Sequence, residues 1–140
     1  MPRKQNPGKD FEELVSIIRK ILSKKDGCIK AKQDTLKGAL GQLQEELEEL
    51  KKATEMDDKN EINEELGHVL YDTIYFAMLG EREGKVDLKK VFKELNWSMK
   101  FRHPHIFEGT KAETIEEVKR LKKERKDTYH KMKKEGKLTF

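Results

Sequence analysis

The stretch QLQEELEELKKATEMDDKNEINEELGHVLYDTIYFAML, residues 42–79, decides the fold. Leu43, Leu47 and Leu50 recur at helical spacing, and Ile62, Leu66, Val69, Leu70, Ile74, Ala77 and Met78 do so again. Met56-Asp57-Asp58 between them reads as a short turn, which makes the two helices antiparallel neighbours. The pattern predicts one helix from about Thr35 to Thr54, with Leu36 and Leu40 extending its stripe, and a second from about Asp58 to Arg82. From Val69 to Leu79 the second helix is apolar nearly all round, which puts that half at the centre of a bundle or at a subunit interface.

Outward from this hairpin the chain keeps the same character. A first helix is expected from Asp10, with Phe11, Leu14, Val15, Ile18, Ile21 and Leu22 inside, stopping before Gly27. Residues 28–34 read as a connection. Gly84 ends the long helix, and Asp87 opens another that carries Leu88, Val91, Phe92, Leu95 and Met99. Pro104 stops that helix at about Arg102. Trp97, beside its apolar stripe, reads as core or interface. After a loop, Thr114 to about Lys134 forms a strongly basic last helix. Residues 1–8 are expected to be a flexible arm and 135–140 a frayed tail. With charged residues at 41%, three Pro and nine Gly, the composition favours helices over a turn-rich sheet. The expectation is a single all-α domain over 1–140, an antiparallel bundle of four to five helices.

The net charge of +4 hides an asymmetry. Residues 41–72 carry 11 acidic and 3 basic side chains, whereas residues 119–137 carry 10 basic and 3 acidic. The basic tail suits a phosphate or an acidic partner, and nucleic acid is disfavoured because no recognition motif accompanies it. A lone cysteine, Cys28, forbids an intrachain disulfide and points to a reducing compartment. No apolar run approaches the roughly 18–20 residues of a membrane span, and the first ten residues lack an apolar signal region. A cytoplasmic protein without membrane partners is expected.

Like charges three or four residues apart on a helix cost about 0.2–0.5 kcal/mol per pair. This chain repeats that cost on both helices of the hairpin. Glu46 and Glu49 are i,i+3 neighbours beside the core stripe, and Glu45 and Glu49 are i,i+4. Glu48 has Lys52 at i+4 and is assigned to solvent. On the next helix Glu61, Glu65, His68 and Asp72 step by four, three and four along one face. Two such faces could hold Mg²⁺ or Mn²⁺ through carboxylates, with water and substrate phosphates completing the shell. A cation held there neutralises a polyphosphate and activates water. The plainer reading is two solvated faces and a hydrogen-bonded core histidine. Asp72 resists it, because a carboxylate on an apolar face needs a partner or a raised pKa. These faces offer Glu45, Glu46 and Glu49 on one helix and Glu61, Glu65, His68 and Asp72 on the other, enough for three or four ligands.

Four ordered segments carry a resemblance: Gln44-Glu45-Glu46-Leu47-Glu48-Glu49-Leu50, Glu64-Glu65-Leu66-Gly67-His68-Val69-Leu70, Glu83-Gly84-Lys85-Val86-Asp87, and Arg102-His103-Pro104-His105-Ile106-Phe107. The pattern resembles the MazG nucleotide pyrophosphohydrolases of the all-α NTP pyrophosphatase superfamily over about residues 10–126. The resemblance implies a helical protein that forms a homodimer or larger assembly. It also implies Mg²⁺-dependent hydrolysis of a nucleoside triphosphate to monophosphate and pyrophosphate. The family's E-x-x-E and E-x-x-D metal pairs fall on Glu46, Glu49, Glu65 and His68, where histidine replaces the aspartate. Imidazole suits Mn²⁺, Zn²⁺ or Ni²⁺ better than Mg²⁺, and Asp72, one turn on, could ligate or hold His68. Lys32 and Lys126 match family lysines and are the implied phosphate contacts, and Glu45 and Glu46 are the implied catalytic candidates. Arg102 reads either as a bidentate phosphate clamp or, with Pro104 ending the helix and the flanking histidines capping or packing, as part of a structural segment. The family's Cys-Pro-Trp-Asp run is Cys28-Ile29-Lys30-Ala31-Lys32 here, and a tail tryptophan is replaced by about Lys122. Groups that hold the base in the family are thus missing at those positions. The alternative is a catalytically impaired relative that binds nucleotide or regulates.

Overall fold

The computed structural model describes residues 5–140, which form helices and no strands. The elements are α1 (Gly8–Ile21), α2 (Ile29–Gln33), α3 (Leu36–Glu55), α4 (Lys59–Arg82), α5 (Leu88–Phe101), α6 (Pro104–Phe107) and α7 (Ile115–Lys134). They fall into two compact units that meet in sequence at Asp87 and Leu88. The all-α class is as expected, with five long helices and two short ones. None of the helices among the described residues is long and apolar enough to cross a membrane.

The first unit is built on the α3–α4 hairpin. Thr35 caps α3 by accepting from Gly38 N–H at 3.1 Å. Asp58 caps α4 by accepting from Asn60 and Glu61 N–H at 3.0 and 3.2 Å. Between the helices Asp57 takes φ 53°, the left-handed conformation that reverses the chain within three residues. The apolar half of α4 is buried through Ile74, Tyr75, Met78 and Leu79, and α1 packs on it with Ile18 fully buried. Gly80 is needed for close approach, since a Cβ there would lie 2.4 Å from Val86 Cγ2. Gly84, at φ 72°, ends α4 in the left-handed region as expected.

Two short elements depart from the sequence reading. Residues 29–33, read as connection, form α2, and 104–107, read as loop, form α6 with Pro104 in its first turn. The start of α1 also moves. It opens at Gly8, whose N–H is capped by Asn6 Oδ1 at 3.0 Å, and Asp10 sits in the first turn. Residues 1–4 of the expected arm lie outside the described residues.

In the second unit Trp97 stacks on Phe101 at 4.8 Å, with Tyr129 of α7 at 6.1 Å and Phe140 edge-on at 6.0 Å. Glu94 accepts from both the Tyr129 hydroxyl and Lys133, joining α5 to α7. Arg125 lies 4.6 Å over the Phe101 ring and pairs with Glu108 at 2.8 Å. Residues 135–140 are not helical, and Phe140 is nonetheless half-buried against Trp97.

Candidate metal centre

Helix periodicity sets which carboxylates face each other across the hairpin. Glu46 of α3 meets Glu65 and His68 of α4, and one ligand atom from each lies within 4.8 Å of the others. His68 Nδ1 is 3.2 Å from Glu65 Oε2 and 3.3 Å from Glu46 Oε2. Glu46 and Glu65 are largely covered, while His68 is half exposed. The hydrogen bond to Glu65, helped by the charges of Glu46, Glu65 and Glu64, holds the imidazole pKa above 6.5.

The other candidates stand apart from this cluster. Glu49 lies three residues past Glu46, about 60° short of a full turn, and its carboxylate pairs with Lys52 at 3.2 Å on the exposed side. Lys52 thus takes Glu49, not Glu48 as the i,i+4 rule predicts. Glu45, Glu48 and Glu61 are exposed. Lys32 is an exposed residue of α2. Arg102 and Lys126 belong to the second unit: the Arg102 guanidinium lies 5.5 Å over the Tyr129 ring, and Lys126 is exposed on α7.

Asp72 sits one turn deeper on α4. It is 9% exposed, and its Oδ2 has no hydrogen-bond partner. Burial, then the charge of Glu46, pushes its carboxyl pKa up, against smaller opposing effects of His68 and Lys30. Glu46, His68 and Asp72 line one cavity of about 480 Å³. Gly38 and Ala39 of α3 form a small-residue wall of this cavity, and Tyr71 and Tyr75 of α4 contribute aromatic rings 5.8 Å apart. The Tyr75 hydroxyl donates to Asp34 Oδ2 at 2.5 Å, and Lys30 pairs with Asp34 Oδ1 at 3.3 Å. Arg82 then donates to the carbonyls of Ala31 and Asp34 at 2.9 and 3.2 Å, clamping the end of α2 onto α4.

Sequence reasoning missed this lining. It sought aromatic and acidic groups where the Cys-Pro-Trp-Asp run would be, but they come from α4 and the end of α2. The available signal was Tyr71, Asp72 and Tyr75 interrupting an otherwise apolar run.

Two carboxylates and an imidazole with ligand atoms within 4.8 Å of one another are a donor set that fits a divalent cation. The nitrogen donor tilts that fit toward Mn²⁺ or Zn²⁺ relative to an all-oxygen set.

The model of the family described as MazG nucleotide pyrophosphohydrolase domain matches residues 34–107. The chain is 26% identical over 108 residues to the Nucleoside triphosphate pyrophosphohydrolase of Escherichia coli (strain K12), covering 77% of this chain and 41% of that protein. It is 37% identical over 99 residues to the Nucleoside triphosphate pyrophosphohydrolase/pyrophosphatase MazG of Thermotoga maritima, covering 69% and 38%. The chain therefore spans about two fifths of the length of these curated relatives. The crystal structure of a mazG-related protein from Thermotoga maritima superposes with a TM-score of 0.74 at 28% identity, over 83% of this chain and 98% of that one.

Proposed function

The chain belongs to the MazG nucleotide pyrophosphohydrolase family, and we propose that it hydrolyses a nucleoside triphosphate to monophosphate and pyrophosphate with a divalent cation. The observation that carries this reading is the convergence of Glu46, Glu65 and His68, two of which, Glu46 and His68, line a cavity of about 480 Å³. A nucleoside fits such a volume, with its phosphates toward Glu46 and His68.

Glu46, Glu65 and His68 would hold the cation, Mg²⁺ by family or Mn²⁺ by donor chemistry. Glu49, now paired with Lys52, is the further carboxylate available to it, and Asp72 lies deeper. When bound, the cation supplies charge neutralisation of the phosphates and a lower pKa for water. The chain's own carboxylates do the rest. Glu46, and Glu45 beside it on α3, are the proposed acceptors for a proton from the attacking water. For the phosphate charge we propose Lys32 and, by family position alone, Arg102 and Lys126. The match at residues 34–107 supports reading the whole chain as one MazG-like domain. A homodimer or larger assembly, and cytoplasmic placement, belong to the same proposal. The half-exposed leucines Leu40, Leu47, Leu66 and Leu70 of α3 and α4 support assembly.

The test is pyrophosphate release from a panel of nucleoside triphosphates with Mg²⁺, Mn²⁺ and Zn²⁺. Glu65→Ala should lower the rate by more than the roughly 10–100-fold typical of a residue that only supports a metal ligand. No release with any metal, or equal release by the variant, overturns the assignment. One observation favours a second reading, a binding or regulatory protein with an impaired site. His68 Nδ1 already bridges both carboxylates, as a cation would. Nucleotide binding without turnover, with turnover gained by His68→Asp, would select that reading.

A further inference from the structure

Asp72 is a buried acid that the metal cluster leaves unused. Its Oδ2 lacks a partner although the residue is 91% covered, and it faces the cavity about 6 Å past His68 along α4. A buried acceptor left unpaired costs stability. An apolar residue at 72 would instead continue the run from Val69 to Leu79. Three of the protein's own donors in the cavity are committed elsewhere: Tyr75 and Lys30 to Asp34, and Gln42 Nε2 to Glu46 at 3.3 Å. Tyr71 also lines the cavity, yet neither it nor any other side chain donates to Asp72 Oδ2, which leaves this oxygen open to a donor from outside the chain.

We propose that Asp72 is the specificity-determining acceptor of the cavity, taking a hydrogen bond from an N–H or O–H of the nucleoside part of the substrate. The inference rests on the nucleotide reading above. The donor has two sources, the amino or imino edge of a base and the hydroxyls of the pentose. The small wall of Gly38 and Ala39, with Tyr71 and Tyr75, leaves a flat group room to lie within reach of either. A site built around an acceptor discriminates strongly against a ligand lacking the donor, because its own polar group is then left unpaired.

The test measures equilibrium binding of α,β-imido nucleoside triphosphates, with Mg²⁺, to the full chain, to Asp72→Leu and to Asp72→Asn. Four bases and the ribo and 2′-deoxyribo forms make up the panel. The wild type should prefer, by at least about tenfold, the ligands whose 2′-hydroxyl or base amino or imino group sits where Asp72 can accept from it. The Leu variant should reduce that preference to within about twofold, and Asn, which keeps an acceptor, should retain part of it. A preference for ribo over deoxyribo assigns the donor to the pentose, and one among bases assigns it to the base edge. Without ligand, Asp72→Leu should melt several degrees above the wild type, because an unpaired buried oxygen is gone. A preference unchanged in the Leu variant, or a Tm that falls in both variants, overturns the inference alone. A wild type that binds none of the nucleotides overturns the proposed function together with it.

Discussion

At the scale of the residue, the site depends on how His68 is held. Its ring nitrogen faces Glu65 and Glu46, and Glu65's hydrogen bond is the largest cause of its raised pKa. A raised imidazole pKa contributes stability that is fully present below about 6.5 and is lost as pH rises through the folded value. In metal-free protein His68 should therefore titrate above 6.5 by NMR, and Glu65→Gln should bring its midpoint down. An unmoved midpoint would mean that the contact to Glu65 does not form in solution. Three- and four-residue steps put Glu46 on one face and Glu61, Glu65, His68 and Asp72 on the other, and the family resemblance singled out Glu46, Glu65 and His68 among them. Glu49 was not, since the same i,i+3 step that puts it near Glu46 also rotates it toward Lys52. The cavity lining escaped because Asp34 and Tyr75 meet across 41 residues of sequence, which no local pattern reports.

At the scale of the element, the long helices were legible because each carries a stripe, a cap or a stop. The side chains of Thr35, Asp58 and Thr114 all accept N–H bonds at helix starts. Thr35→Ala and Asp58→Ala should each cost about 1 kcal/mol in urea unfolding. Gly80→Ala should destabilise by about 1–3 kcal/mol despite better helix propensity, because its methyl meets Val86. Val86→Ala in the same chain should recover part of the loss. Helices α2 and α6, of five and four residues, are too short to show a period and were invisible in sequence. Between α5 and α7, Lys133 and Tyr129 hold the Glu94 carboxyl below its ordinary pKa of 4.5. A depressed carboxyl contributes stability present above that value and lost as pH falls through the folded one. Glu94→Gln should accordingly flatten the loss of Tm below pH 4.5, and an unchanged acid profile would count against this link.

At the scale of the whole molecule, the exposed leucines make the hairpin more than a scaffold. Leu40 and Leu47 are 45% and 46% exposed, and Leu66 and Leu70 are 43% and 52% exposed, steps of seven and four that line each helix. Placing Lys at Leu47 and Leu70 should lower the mass read by light scattering while leaving helicity intact. A mass that does not change would place any assembly on other residues. The all-α class was legible from composition and stripes. The apolar run from Val69 to Leu79 left core and interface both open, and the family resemblance made assembly an expectation, since a sequence does not say which apolar stripe meets another chain. The three-residue turn between α3 and α4 carries one more consequence. Glu46, Glu65 and His68, the candidate metal ligands, all lie on that single hairpin. Closing so short a loop costs little chain entropy, so the donors meet as soon as the two helices zip together. During synthesis, a nascent chain that has emerged only as far as Arg82 already contains all three side chains, before α5 to α7 have left the ribosome.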